Sequence, residues 1–188
     1  MITIRKKQTG RALKDAVEKL SGVDLSLCYQ CKKCSSGCPV AALARSRPSE
    51  ILRQLHLGAG DELLASDLVW MCVSCETCSA RCPMGIDVAA VMDALRRLAR
   101  ERGAPTPEGN VPLFNRAFLK TVETFGRSWE IGLATAYKLG TGKLKADAEK
   151  FPVMLKKGKI ALLPPQGGDR RIVKRIFKRV KASQATPL

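Results

Sequence analysis

Histidine is almost missing from these 188 residues; His56 is the only one. That scarcity removes the common mixed Cys/His metal sites and leaves few groups for acid–base catalysis near neutral pH. His56 itself falls in ILRQLHLG, just before Gly58, where a polar or cationic side chain complements a helix C-terminus, so it reads as structural. Aromatics are few, at 5%. No apolar run approaches a membrane span, because the stretch from Leu63 to Val73 is short and broken by Asp67. The opening MITIRKKQTG lacks the apolar core of a secretory signal. A soluble, cytoplasmic protein without a transmembrane segment is therefore expected. No G-x-G-x-x-G run is present, so flavin or nicotinamide binding has no support. Period-two alternation is scarce as well, which argues against a β-rich architecture.

Acidic residues are outnumbered, 17 against 33 Lys and Arg, for a net charge of +16. The imbalance is greatest from Lys138 to Leu188, where 14 Lys and Arg face 3 Asp and Glu. Such a segment can meet nucleic acid, anionic lipid or an acidic protein surface. Its only aromatic after Phe151 is Phe177, which lies on an apolar helix face and is poorly placed to stack on bases. Nucleic acid is accordingly the least favoured of the three, and a docking arm for an acidic, partly apolar partner surface is expected.

What the chain does have is cysteine in a repeated pattern. Cys28, Cys31, Cys34 and Cys38 precede Pro39; Cys72, Cys75, Cys78 and Cys82 precede Pro83. Both runs read C-x2-C-x2-C-x3-C-P, 44 residues apart, and no cysteine is left over. A [4Fe–4S] cubane needs four thiolates, and a run of this kind supplies them in two-cluster ferredoxins, where the Cys before the Pro serves the other cluster. The assignment that follows gives Cys28, Cys31, Cys34 and Cys82 to one [4Fe–4S] cluster and Cys72, Cys75, Cys78 and Cys38 to a second. Zinc also accepts four cysteines, but its sites usually pair two C-x2-C units rather than running three cysteines together. Disulfides suit a small secreted chain, and nothing here points to secretion. So many cluster-bound thiolates suit a reducing compartment. Residues between the ligands are candidates for tuning potential: Tyr29, Gln30, Lys32 and Lys33 beside the first cluster, Val73, Ser74, Glu76 and Thr77 beside the second. By charge, Lys32 and Lys33 should raise the first potential relative to the second.

The remaining pattern is helical. Apolar spacing predicts helices over Arg11–Leu20 with Thr9 as cap, Ser49–Leu57 led by Pro48, about Asp61–Met71, and Ile86–Arg102 with Asp87 as cap and Gly103 as stop. Pro39 and Pro83 fit helix starts. Beyond the loop GAPTPEGNVP, helices are expected over about Leu113–Phe125, Trp129–Leu139 (interrupted by Gly140 and Gly142) and Asp169–Lys181. Pro152, Pro164, Pro165 and Gly167-Gly168 forbid a long element between Phe151 and Gly168. The aromatics Phe114, Phe118 and Phe125 are expected to pack as core. The fold class is thus all-α: an alpha-helical ferredoxin domain holding two [4Fe–4S] clusters over residues 1–104, and a helical extension with a basic docking arm over 105–188.

With these features in view, the chain resembles the C subunit of heterodisulfide reductase. The resemblance rests on the paired cysteine runs with a 33-residue helical spacer, on FNRAFLKTVETFGRSWEIGL from Phe114 to Leu133, and on LLPPQGG before RRIVKRIFKRV. It implies an electron-transfer subunit of a hetero-oligomer with no active site of its own. Such a subunit relays electrons from a flavin-containing A subunit to a catalytic, cysteine-rich B subunit that reduces the CoB–CoM heterodisulfide of methanogenesis. This chain has no paired-Cys CCG motif of the kind found in the B subunit. The cysteine runs alone are shared more widely, so an iron–sulfur subunit of a quinone-linked anaerobic respiratory oxidoreductase is the alternative. A cluster-bearing nucleic-acid-binding protein is the alternative of another class.

Overall fold

The computed structural model describes residues 8–106, 110–142, 150–158, 163–164 and 169–185. Every regular element among them is helical. The chain divides into two compact units, Met1–Gly109 and Asn110–Leu188.

The first unit is organised around α6 (Val88–Glu101). Its apolar residues recur at helical spacing, and Val91, Met92, Leu95, Leu98 and Ala99 are buried. Burying each of the larger side chains contributes roughly 1.5–3 kcal/mol. Asp87 caps the helix by accepting the Ala90 N–H at 2.9 Å. Gly103, at φ 63°, turns the chain out of it, a conformation that only glycine adopts without penalty. Helix α1 (Gln8–Ser21) packs on α6 with Leu13 and Val17 fully buried. The helix begins at Gln8, upstream of the expected Arg11. Helix α3 (Pro48–His56) packs on α1 through Ile51, Leu52 and Leu55. Its N-terminus is closed by Glu50, whose carboxylate accepts the Arg47 N–H at 2.9 Å.

Two expectations change here. The single helix over Asp61–Met71 is split into a 3-10 turn, Asp61–Ala65, and α4, Asp67–Met71. Ser66 is extended between them, and this frees the buried Asp67 carboxylate to accept the backbone N–H groups of Arg45 (2.6 Å) and Leu68 (2.8 Å). A buried charge must find donors, and that requirement outweighs helix continuity. Pro39 and Pro83 open hydrogen-bonded turns instead of helices, closed by Ala41 N–H to Cys38 O and Gly85 N–H to Cys82 O.

The second unit contains α7 (Asn110–Phe125), α8 (Glu130–Thr141), α9 (Lys150–Lys156) and α10 (Arg170–Ala185), with α7 packed on α8 and α10. Helix α7 starts upstream of Leu113, with Pro112 in the first turn where its missing N–H is not needed. Gly140 does not interrupt α8. A side chain there would meet Leu113 at 2.8 Å, so the glycine lets α7 and α8 approach. Gly142, at φ 69°, ends the helix. Helix α10 extends four residues past Lys181 and is opened by Asp169, whose carboxylate accepts the Ile172 N–H. Pro165, Gly167 and Gly168 lie outside the described residues. Phe114 stacks on Phe118 and meets Tyr137 edge-on, yet Phe114 and Phe118 stay 43% and 38% exposed. Among the described residues of this unit only Ala117 and Thr121 are buried.

Leu95→Ala should lower the unfolding free energy by about 2–5 kcal/mol, the usual consequence of emptying a packed leucine site. Leu139→Ala, on an exposed position of α8, should change it by less than about 0.5 kcal/mol. Urea titration followed by circular dichroism compares them.

Candidate metal centre

The two cysteine runs fold in the same way. Each is delivered by a short helical turn: Leu25–Leu27 ahead of Cys28, α4 ahead of Cys72. Each then crosses two residues in the left-handed region, Gln30 and Lys32 (φ 62° and 65°) in the first run, Ser74 and Glu76 (φ 50° and 60°) in the second. Non-glycine residues are strained there by about 1–3 kcal/mol apiece. Alternation between left- and right-handed backbone turns successive N–H groups into one concavity, the form that receives anionic groups and iron–sulfur centres. One-turn helices follow, α2 (Lys33–Ser36) and α5 (Thr77–Ala80).

The residue after the third cysteine of each run is a serine, and it anchors the run to the next long helix. Ser35 Oγ donates to Ser49 Oγ at 2.8 Å and accepts the Ser49 N–H at 2.9 Å. Ser79 Oγ donates to the Asp87 carboxylate at 2.7 Å and accepts the Ala89 N–H at 3.0 Å. In both cases the backbone N–H belongs to the second residue of the helix, α3 or α6, one of the groups a helix cannot satisfy internally. The repeat therefore extends one residue past each third cysteine, and superposing the two runs in sequence aligns Ser35 with Ser79. That signal lies in the sequence, but matching cysteines alone passes over it. The two short helices α2 and α5 pack on each other. Gly37 makes room there, since a side chain at that position would fall 2.8 Å from Arg81 of the other run.

Between the runs are two cavities. Cys28, Cys31, Cys34 and Cys82 line one, and Cys72, Cys75, Cys78 and Cys38 line the other. Each cavity thus receives three cysteines from one run and the fourth from the other. The walls repeat as well. Ser49 and Leu52 of α3 with Val88 of α6 border the first; Ala89 and Met92 of α6 with Pro48 of α3 border the second. The same helical positions exchange roles, which is the signature of an approximate two-fold axis between the runs.

No disulfide joins any of the eight cysteines. The second one of each run, Cys31 and Cys75, is exposed, and the other six are buried or half-buried. Burial raises the thiol pKa of Cys34 and of Cys78, the third cysteine of each run, above the ordinary value. Hydrogen bonding to the Thr77 side chain and N–H lowers that of Cys75. Gln30 donates to Cys28 Sγ at 3.3 Å, and Thr77 lies 3.4 Å from Cys75 Sγ. No three His, Cys, Asp or Glu side chains among the described residues converge on a single-ion position. Four thiols around each cavity, three from one run and one from the other, match the donor set of a polynuclear group, one thiolate per iron. His56 lines neither cavity, and its Nε2 is buried without a hydrogen-bond partner.

Arg96 has a role its position in the basic end of α6 did not reveal. Its guanidinium donates to Val69 O and Cys72 O, each at 3.0 Å, and to Asp93 at 3.0 Å. It therefore holds the end of α4, from which the second run departs.

Residues 27–87 match the family model described as a 4Fe-4S dicluster domain. The resemblance to the C subunit of heterodisulfide reductase is met by similar proteins of that name. One, the iron-sulfur C subunit of the CoB–CoM heterodisulfide reductase of Methanopyrus kandleri, is 34% identical over 43% of this chain and 42% of its own length. The chain thus spans less than half of that relative. The C subunit of the H(2):CoB-CoM heterodisulfide,ferredoxin reductase of Methanothermobacter thermautotrophicus is 27% identical over 81% of this chain and 80% of its own. In Methanocaldococcus jannaschii, the C 2 iron-sulfur subunit of CoB–CoM heterodisulfide reductase is 33% identical over 55% and 52%. No described helix is long and apolar enough to cross a membrane.

Ser79→Ala and Ser35→Ala should each destabilise the first unit by about 1 kcal/mol through loss of a cap. Arg96→Ala, which strands two backbone carbonyls, should cost about 1.5–3 kcal/mol. The Asp87 carboxyl is held below its usual range, chiefly by the Ala90 N–H and then by Ser79. Its contribution is therefore present above about pH 4 and lost as the pH falls through the lower folded value. Denaturant titrations from pH 7 down to pH 3 should show that loss in the parent chain and not in Asp87→Asn.

Proposed function

We propose that the first unit is an alpha-helical ferredoxin holding two [4Fe–4S] clusters. One is bound by Cys28, Cys31, Cys34 and Cys82, the other by Cys72, Cys75, Cys78 and Cys38, and the chain is a non-catalytic electron-transfer subunit of a heterodisulfide reductase complex. The observation that carries this reading is the three-plus-one sorting of eight thiols into two equivalent cavities. When bound, the clusters supply one-electron redox chemistry. The protein holds them at fixed separation, keeps water from the apolar walls formed by Leu52, Met92, Ile86 and Leu68, and offers N–H and amide donors to the sulfurs. Cys31 and Cys75 are the exposed ligands, so the edges beside them are where electrons enter and leave. A cleft bordered by Lys32, Arg47 and Arg53 lies beside Cys38 and offsets the negative charge of the thiolates.

The relay runs from a flavin-containing A subunit to a catalytic, cysteine-rich B subunit. The names of the similar proteins support a place in a multi-subunit complex, each being one subunit of a heterodisulfide reductase. The reaction's bond-breaking step belongs to the partner.

Anaerobically prepared protein should contain about eight irons and eight acid-labile sulfides per chain. Stoichiometric zinc without sulfide would overturn the cluster assignment. Cys82→Ser should alter the electron paramagnetic resonance of the cluster held by Cys28, Cys31 and Cys34, and Cys38→Ser that of the other. Co-purification of a flavin-containing and a cysteine-rich subunit tests the relay. Its failure with iron intact would leave the clusters and remove the complex.

Lys32 and Glu76 occupy equivalent left-handed positions in the two runs and line the two cavities. That places a charge difference of opposite sign at matched sites and supports a higher potential for the first cluster. Lys32→Glu, which changes the charge by two units, should lower the first potential by about 40–80 mV, equivalent to roughly 0.5–1 kcal/mol for each exposed unit charge. Glu76→Lys should raise the second by a similar amount, as read by anaerobic redox titration.

A further inference from the structure

Helix α10 carries seven Lys and Arg and no acidic residue in its 16 positions. Two of the cations tie it to α7. Lys181 Nζ lies 2.6 Å from Glu123, and the Arg170 guanidinium lies 5.8 Å from the centre of the Phe125 ring. Val173 and Phe177 are half-buried on the side that these anchors define. The helix is thereby held in one rotation, and a second apolar stripe is left uncovered: Ile172, Ile176 and Val180 are 50%, 53% and 46% exposed. They are spaced four apart and so lie along one edge of the cylinder. Arg171, Arg175 and Arg179 precede them by one residue each and border the stripe throughout its length. Lys174 and Lys178 lie beyond these, and none of the five forms an ion pair with a described residue.

We infer that α10 docks on an anionic lipid surface, lying in the interface with Ile172, Ile176 and Val180 turned toward the acyl chains and the five cations among the headgroups. Three features select lipid over an acidic protein groove. The exposed charges are of one sign, as a uniformly anionic plane favours; a groove that had to fix register would place opposite charges at chosen positions. A basic amphipathic helix with modest overall hydropathy is the form that binds bilayer surfaces. At 16 residues it is too short and too charged to span one. The interaction is therefore peripheral and reversible, and it holds whether or not the cluster assignment is correct.

The test is sedimentation of the full, anaerobically prepared chain with vesicles of phosphatidylcholine alone and of phosphatidylcholine with about 30% phosphatidylglycerol, a fraction on the order of that in anionic membrane leaflets. Binding to the anionic vesicles only, falling at least about tenfold as salt rises from about 50 to 500 mM, is expected. Neutralising Arg175 and Arg179 together (R175Q/R179Q) should weaken it about 25-fold, at about fivefold per cation. I172D/I176D should weaken it by at least about tenfold while helicity and iron content stay at parent values. Because I172D/I176D could disturb α10, R175Q/R179Q is the decisive variant: its charges make no ion pair with α7. Absence of binding to anionic vesicles at low salt, equal binding to both vesicle types, or binding that survives R175Q/R179Q overturns the proposal. Protection of α10 from hydrogen exchange by a purified acidic partner, with no protection by vesicles, does so as well.

Discussion

Each cysteine run can bring only three of its thiols to its own cavity. The chain wraps a corner within a short loop, from Cys28 to Cys34 or from Cys72 to Cys78, and the one-turn helix that follows carries the fourth cysteine away. That cysteine is then available only to the neighbouring cavity, so the two runs are obliged to pair. The rest of the first unit follows from this exchange. The short helices α2 and α5 must touch, Gly37 must lack a side chain so that Arg81 fits over it, and α3 and α6 must present matching positions to both cavities.

Strain and anchoring work together around those loops. Four non-glycine residues in the left-handed region are unfavourable by themselves, and they persist because both ends of each loop are held. Upstream, a helical turn ends at the first cysteine. Downstream, Ser35 or Ser79 is bonded to the first turn of a long helix that is itself buried in the core. Arg96 adds a third support to the second run by binding the carbonyls at the end of α4. Left-handed positions so placed favour a backbone concavity of the kind that receives charged groups.

The second unit is built on a different principle. Its helices meet through aromatic edges, one cation over a ring and a surface ion pair, and little of the described part is buried. Its apolar residues therefore remain on display, in contrast to the first unit, where Leu13, Val17, Leu55 and Leu95 are fully enclosed. The first unit is stable around its own core, and the second has surface to offer.

Much of this could be read from the residues. The helical content, the Asp87 cap, the Pro48 start and the buried stripe of α6 all appear where periodicity and capping chemistry put them, because these are local properties. The cysteine spacing and the Ser35/Ser79 repeat are local too, since so short a loop has few ways to aim three thiols at one point. What required the folded chain was long-range. The need of buried Asp67 for the Arg45 N–H, 22 residues away, breaks a helix that periodicity alone would continue. The reach of Arg96 across 27 residues to Val69 turns a residue of the basic helix end into a clamp. The rotation of α10 on α7 decides which of its two apolar edges is covered. Spacing along the chain specifies what a segment can do, but a hydrogen bond or an ion pair between distant segments exists only once packing has brought its two halves together.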